Sequence, residues 1–395
     1  MKSYSLFVVL CFYISLIYTQ PNTEIYVFDL SINDDKISLS NPKNISNNEG
    51  YDNQPSFIEN TKILFAATRS DQTDIRLFDI EAGSSSAWIT DTPTGSEYSP
   101  LKIPNKNAVS AIRLDLNGLQ RLYKYDMNTG SSEPILKDLK VGYHVWYSTE
   151  ILVCTVLIEN RMDLVVYNLK DKTTFTVYEN VGRSLSKIPN TDLISFISKQ
   201  DKQWVIKSLN PITHLVKTIT KTFRNSEDIS WLANGSLITG SGKSIYNIKP
   251  LLDTNWEVIQ KFNQEEINNI TRIAISEDAK RLAFVAEESP EKIVQKQLDA
   301  YNARDINRFI ATFADNIELL NYPNKEFLKG KQKMKESYAG YFEATPDLNC
   351  EIKNRIVIGN KVIDEEYITA NGQNFSAVAI YEVENGKIAK VTFIR

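Results

Sequence analysis

The sequence predicts a multidomain chain: an all-β propeller of six blades followed by a smaller α+β domain. Three observations carry that expectation. Similar strand-turn-strand segments recur about every 44 residues through the first two thirds of the chain. The recurrence ends near Ala286, and Ser289-Pro290-Glu291 opens a run with helical spacing. After Pro346 the pattern returns to alternating strands, so helices come first and a sheet follows, which is an α+β order.

The chain opens with MKSYSLFVVLCFYISLIYTQ, in which Lys2 precedes an apolar run from Leu6 to Tyr18. That run has the length of a signal-peptide core and is short for a membrane span. Residues 1–20 are therefore read as a secretion signal cut near Thr19 and Gln20, with export to the periplasm or the outside. Cys11 follows Val8-Val9-Leu10 and lacks the small residue expected before a lipidated cysteine.

Charge excludes one class of partner. The chain has 45 Lys and Arg against 49 Asp and Glu and no long basic run, so it lacks the phosphate-neutralising surface of a nucleic-acid binder. Beyond the leader only Cys154 and Cys350 remain, and His144 and His214 are the only histidines. Disulfide frameworks, metal centres and His-based triads have almost no material. No metal and no cofactor is expected.

The repeats come in two halves. Segments such as QPSFIENTKILFAAT, YSPLKIPNKNAVSAIR and ITRIAISEDAKRLAFVA share a short strand, a polar turn and an apolar strand. Between them lie hairpins such as DIRLFDIEAGSSSAWIT and RLYKYDMNTGSSEPIL. Four strands per repeat is the content of a propeller blade. The last repeat lacks its second half, and Thr23 to Ser40 supplies a matching hairpin from the other end of the chain. Pairing of that hairpin with residues 271–286 closes the ring without a free edge.

Residues 22–287 resemble the TolB-like, WD40-like six-bladed propellers, on the repeat period and on pieces such as Pro55-Ser56-Phe57, Ser99-Pro100 and the YVFDL, RLFDI and YKYDM strands. The resemblance implies a platform for a protein or glycan partner. LITGSGKS imitates a phosphate loop, but Leu237 stands where that motif needs glycine and the context is strand-turn-strand. No GxSxG elbow of a propeller-linked peptidase is present.

In residues 290–395, Ser289 reads as a helix cap with Pro290 at the first helical position. A second helix is expected after Asp305, with Ile306, Phe309, Ile310 and Phe313 on one face, and a third from about Gly330. Four strands follow: NCEIKNRIVIGN, KVIDEEYITA, NFSAVAIYEV and KIAKVTFIR. The run IVQKQLDAYNARDINRFIATFADNIELLNYP and the closing AVAIYEVENGKIAKVTFIR resemble the SnoaL-like branch of the NTF2-like superfamily. That resemblance implies a cone-shaped sheet around an apolar pocket, serving as an enzyme site, as a pocket for a small apolar ligand, or as a homodimerisation module through the sheet. It assigns Gln297, Tyr301, Phe313, Asn321, Tyr338, Ala379 and Tyr381 to the pocket. Gln297, Asn321 and Ala379 stand where the ketosteroid isomerases carry their tyrosine, base and second acid, so that activity does not transfer.

The candidate catalytic residues are Asp364 and Glu366. Strand alternation places both on one face, away from Glu365, and this branch often has Asp-His-Glu where the chain reads Asp364-Glu365-Glu366. Three readings remain open, the third being a structural envelope component in which the cone has filled in. In the first, a secreted or envelope protein binds partners and a ligand without chemistry, and the acids pair with lysines such as Lys353, Lys361 or Lys390. In the second, Asp364 or Glu366 is a base acting on a carbonyl compound.

Overall fold

A computed structural model describes residues 22–33, 36–48, 50–70, 72–83, 86–263, 267–384 and 386–394. The leader, its cleavage point and Cys11 lie outside the described residues.

Six four-stranded antiparallel sheets form the N-terminal domain. Five are built from consecutive strands, beginning at Asp52, Gly95, Val141, Val181 and Ile229. The sixth joins both ends of the region. Thr23–Asn33 pairs with Arg281–Glu287, with Ile25 opposite Val285 and Phe28 opposite Leu282, and Lys36–Asn44 takes the outer edge. Closure by the N-terminal hairpin satisfies two rows of backbone groups that would otherwise form an open edge.

The second strand of each blade is a nearly continuous apolar run, such as Ile63–Ala67 or Leu152–Val156, and those residues are buried. Blades stack face to face, so a middle strand has neighbours on both sides and its sequence cannot alternate with polar residues. Leu64, Ala66 and Ile75 of the first blade interdigitate with Val109, Ala111 and Tyr123 of the second. Leu64, Ile75 and Val109 each contribute roughly 1.5–3 kcal/mol on burial. Leu237–Ser241 and Ser244–Ile248 form a hairpin over Gly242, whose φ is +58°. A Cβ on Gly240 would lie 2.6 Å from Cγ2 of Ile270. These glycines therefore serve a tight turn and a close approach between blades, not a phosphate.

The chain passes from its last propeller strand, ending at Glu287, straight into a helix at Pro290. The C-terminal elements are α1 (Pro290–Asn302), α2 (Ile306–Ala311), β1 (Phe313–Asn321), β2 (Lys325–Lys329), α3 (Lys331–Ala344), β3 (Asn349–Ile358), β4 (Lys361–Ala370), β5 (Gln373–Glu384) and β6 (Lys387–Ile394). Ser289 caps α1 by accepting from the Glu291 amide, and Asp305 caps α2 by accepting from the Asn307 and Arg308 amides at 3.1 Å. The sheet order is β2-β1-β6-β5-β4-β3, antiparallel except for the β1–β6 pair.

One element differs from the sequence expectation. Phe313 is not on the second helix: α2 stops at Ala311 and Phe313 opens β1. Helical spacing of Ile306, Phe309, Ile310 and Phe313 hides a change to period two, visible afterwards in buried Ile317 and Leu319. The hairpin of β1 and β2 adds two strands to the four expected. It supplies one wall of the cavity described next.

Candidate functional site

The three helices pack on the inner face of the curved sheet through a core that includes Val294, Phe309, Phe313, Met334 and Phe342. The helices do not fill the concavity. A cavity of about 380 Å³ remains, lined by Gln297, Tyr301, Phe309, Phe313, Tyr338, Glu366, Ala377, Tyr381 and neighbouring apolar side chains. Its aromatic wall is a contiguous set of rings. Phe309 lies 5.0 Å from Phe313, 4.8 Å from Tyr338 and 5.9 Å from Tyr301 between centroids.

Alternation along β4 turns Val362, Asp364, Glu366 and Ile368 inward, all buried, while Glu365 and Tyr367 face solvent. The two inward acids have different fates. Glu366 lines the cavity and accepts a hydrogen bond from the Tyr381 hydroxyl at 2.8 Å. Burial, and then the carboxylate of Glu366, push the Tyr381 phenol well above its ordinary range, so it stays protonated and donating. Asp364 does not line the cavity. Nε and Nη2 of Arg355 on β3 hold it in a bidentate pair at 2.7 Å each, and Nη1 of the same arginine reaches Gln295 on α1 at 2.8 Å.

The lysines expected as partners for these acids are engaged elsewhere. Lys353 meets Glu351 at 2.9 Å, and both Lys361 and Lys390 meet Glu382. Arg355 takes the role because β3 carries a register shift between Ile352 and Asn354. That bulge spends Lys353 as the extra residue and sets Arg355 opposite Asp364.

Gln297, Tyr301, Phe313, Tyr338, Glu366 and Tyr381 thus come together around one space. Ala379 and Asn321 do not. Ala379 is fully buried opposite Asp364, while Ala377, opposite Glu366, reaches the cavity. Asn321 lies at the end of β1, paired with Lys325 and Phe393, outside the cavity. Ala377 and Arg355 were missed from the sequence. A period-two count from Tyr381 would have found Ala377; Arg355 had no signal without the register.

Gln297 is 6% exposed, yet its Oε1 has no hydrogen-bond partner. An orphaned buried acceptor costs about 1–3 kcal/mol, and Gln297 is part of the cavity wall. Cys350 also lines the cavity, but burial raises its thiol pKa and keeps it a poor nucleophile. Among the described residues no group of three or more His, Cys, Asp or Glu side chains is placed to hold a metal ion. No helix among them is long and apolar enough to cross a membrane.

Residues 294–391 match the family model of the SnoaL-like domain. Among solved structures, a cystatin-fold protein from Novosphingobium aromaticivorans is 27% identical over 27% of this chain and 98% of its own, with a TM-score of 0.26. An NTF2-like protein of unknown function from Cytophaga hutchinsonii is 16% identical over 27% of this chain and 88% of its own, with a TM-score of 0.24. A candidate TolB from Agrobacterium tumefaciens is 12% identical over 68% of this chain and 99% of its own, with a TM-score of 0.52. No curated protein matches the chain. The chain therefore joins a propeller with the fold of TolB proteins to a C-terminal SnoaL-like domain.

Proposed function

We propose that this is an exported binding protein whose propeller is a partner platform and whose C-terminal cavity holds a small, apolar, ring-containing ligand with one hydrogen-bond donor. The observation that carries the ligand reading is the unpartnered Oε1 of Gln297 on a 380 Å³ cavity walled by aromatic rings. Ligand sites are concave, mainly apolar and carry a few convergent polar groups. A donor on the ligand completes Gln297, and ring stacking supplies the rest. The leader supports export, and the propeller fold supports a protein or glycan partner in the envelope.

Binding is favoured over catalysis because the polar groups are already committed. The Tyr381 hydroxyl, the natural donor to a developing oxyanion, is spent on Glu366, and Asp364 is held by Arg355. One observation favours the second reading: Glu366 is a carboxylate inside the cavity and has the reach of a general base acting on a carbonyl compound. Dimerisation through the outer face of the sheet is compatible with either.

Thermal shift with 2-naphthol and naphthalene tests the proposal. The naphthol stabilises the wild type more than the hydrocarbon, Gln297→Leu removes the difference, and Ala377→Phe removes both responses. Absence of any shift across a panel of apolar ring alcohols, or shifts unchanged in Ala377→Phe, refutes it. Turnover of a bound carbonyl analogue that drops roughly 10²–10⁴-fold in Glu366→Gln replaces binding with the enzymatic reading.

A further inference from the structure

Each propeller blade brings one residue to the axis at an equivalent position: Gln54, Ser99, Tyr143, Arg183, Asp228 and Arg272. All six line one cavity of about 140 Å³ at the channel mouth, together with His144. Register shifts bracket Gln54, Ser99, Arg183 and Arg272 on their strands. Bulges of this kind turn a side chain out of the ladder. Gln54, Ser99 and Arg272 also hold φ values of +57°, +50° and +52°. Such backbone is strained for residues other than glycine and persists where the surroundings enforce it.

The ring is held by contacts between blades. The Ser99 amide donates to Oε1 of Gln54 at 2.7 Å, and the Arg183 amide donates to Oε1 of Glu227 at 3.3 Å. Arg183 grips Asp228 through Nε and Nη2 at 2.9 and 2.5 Å, and Arg272 donates from Nη2 to the Tyr143 hydroxyl at 3.1 Å. Lys199 takes the remaining acid, Glu227, at 2.7 Å. Arg183, Lys199 and Arg272 against Glu227 and Asp228 leave a surplus of one positive charge. Neither ring guanidinium spends its Nη1 on a described residue.

His144 adds an unmet group. The residue is 5% exposed, and its Nδ1 has no partner. Its Nε2 lies 2.7 Å from Oγ of Ser110, which also accepts from the indole of Trp146 at 2.8 Å. An indole only donates, and of the two acceptors within reach of the Ser110 hydroxyl, the Leu101 carbonyl at 3.3 Å and Nε2 at 2.7 Å, the nearer is Nε2, which leaves the His144 proton on Nδ1. Burial draws the His144 pKa down to about 3, so the ring is neutral and offers a single N–H.

We infer that the channel mouth binds the carboxylate group of a small organic acid, held by the guanidinium groups of Arg183 and Arg272 and by Nδ1–H of His144. Each guanidinium keeps its Nη1 to donate a charge-assisted hydrogen bond to a carboxylate, the surplus charge disfavours a cation, and the small volume suits a compact group.

The test uses the full chain with acetate as the free acid and N-acetylglycine as the same group at a peptide end, against chloride at equal ionic strength. Saturable calorimetric binding of either carboxylate, weakened at least tenfold in Arg272→Met, supports the site. Because Arg272 also supports Asp228, the chain labelled with ¹⁵N-histidine supplies a second readout on the wild type. The chain has 2 histidines, and a carboxylate-dependent shift confined to Nδ1 of His144 is expected. Carboxylate binding no stronger than that of chloride, unchanged affinity in Arg272→Met, or an unmoved His144 signal at saturation overturns it.

Discussion

Both domains bury carboxyl groups, and they neutralise them in opposite ways. In the C-terminal domain Asp364 is 1% exposed and meets the bidentate guanidinium of Arg355. In the propeller Asp52 and Glu97 occupy equivalent positions on the inner strands of neighbouring blades, and each is fully buried. Their neighbours across the blade junctions are other acids, Glu24 and Asp74. One carboxylate oxygen of each, Oδ2 of Asp52 and Oε2 of Glu97, has no hydrogen-bond partner. Burial alone therefore does not set the charge of an acid. Asp364 has a guanidinium across from it, whereas an acid facing another acid in a dry junction keeps its proton.

That retained proton has the greatest consequence for stability. Burial, then Glu24, raises Asp52 to about 8, and burial, with Asp74 adding to it, raises Glu97 to about 7. Unfolded carboxyls titrate near 4, so between about pH 4 and pH 8 the folded propeller holds protons that the unfolded chain releases. The unfolding free energy therefore falls as pH rises through that window. Each tenfold gain in proton affinity on folding is worth about 1.4 kcal/mol, which makes the combined change several kcal/mol. Calorimetric melting of the propeller is expected to be higher at pH 5 than at pH 8.5, with a clearly flatter pH slope in Asp52→Asn. A propeller that is more stable at pH 8.5 would contradict the contrast between the two domains.

Next in size is the paired acid. Arg355→Met keeps the bulk of the side chain but strands Asp364 without its partner, at a cost of about 3–5 kcal/mol. Urea unfolding followed through amide exchange of the C-terminal strands measures it, and a loss below 1 kcal/mol would mean that Asp364 finds water or a proton at no cost. The double variant Arg355→Met with Asp364→Leu is expected to recover most of the stability, because no buried charge remains.

A partly exposed pair marks the lower bound. Lys390 meets Glu382 at 3.2 Å on the sheet surface, where both side chains reach solvent and Lys361 offers a second partner. Lys390→Ala is expected to change unfolding free energy by under about 1 kcal/mol. A larger loss in the same urea titration would place surface pairs on a level with buried ones, and burial would no longer explain the behaviour of Asp364.

The architecture was legible because it rests on period. A recurrence near 44 residues, continuous apolar runs for middle strands and an unmatched N-terminal hairpin specify six closed blades, since each blade must bury both faces against its neighbours. The shared inward face of Asp364 and Glu366 was legible for the same reason: successive side chains in a strand alternate. The β1–β2 hairpin was hidden because a few apolar residues fit periods 3.6 and 2 equally well over so short a span.

Local periodicity along the chain was enough to specify the strand pattern of the propeller, the order of the two domains and which β4 residues point inward. Which acid reaches the cavity, and what neutralises each one, came only with the three-dimensional arrangement. A bulge at Lys353 slides Arg355 opposite Asp364, and packing brings the Tyr381 hydroxyl to Glu366 although Tyr381 pairs with Val362 across the ladder. Packing also placed Ala377, not Ala379, beside the open space, and drew Gln54, Ser99, Arg183 and Arg272 from four blades to one channel mouth. Alternation fixes the side of a sheet on which a residue lies; its depth along the strand and its partner across the ladder are set by register, which depends on bulges and long-range packing.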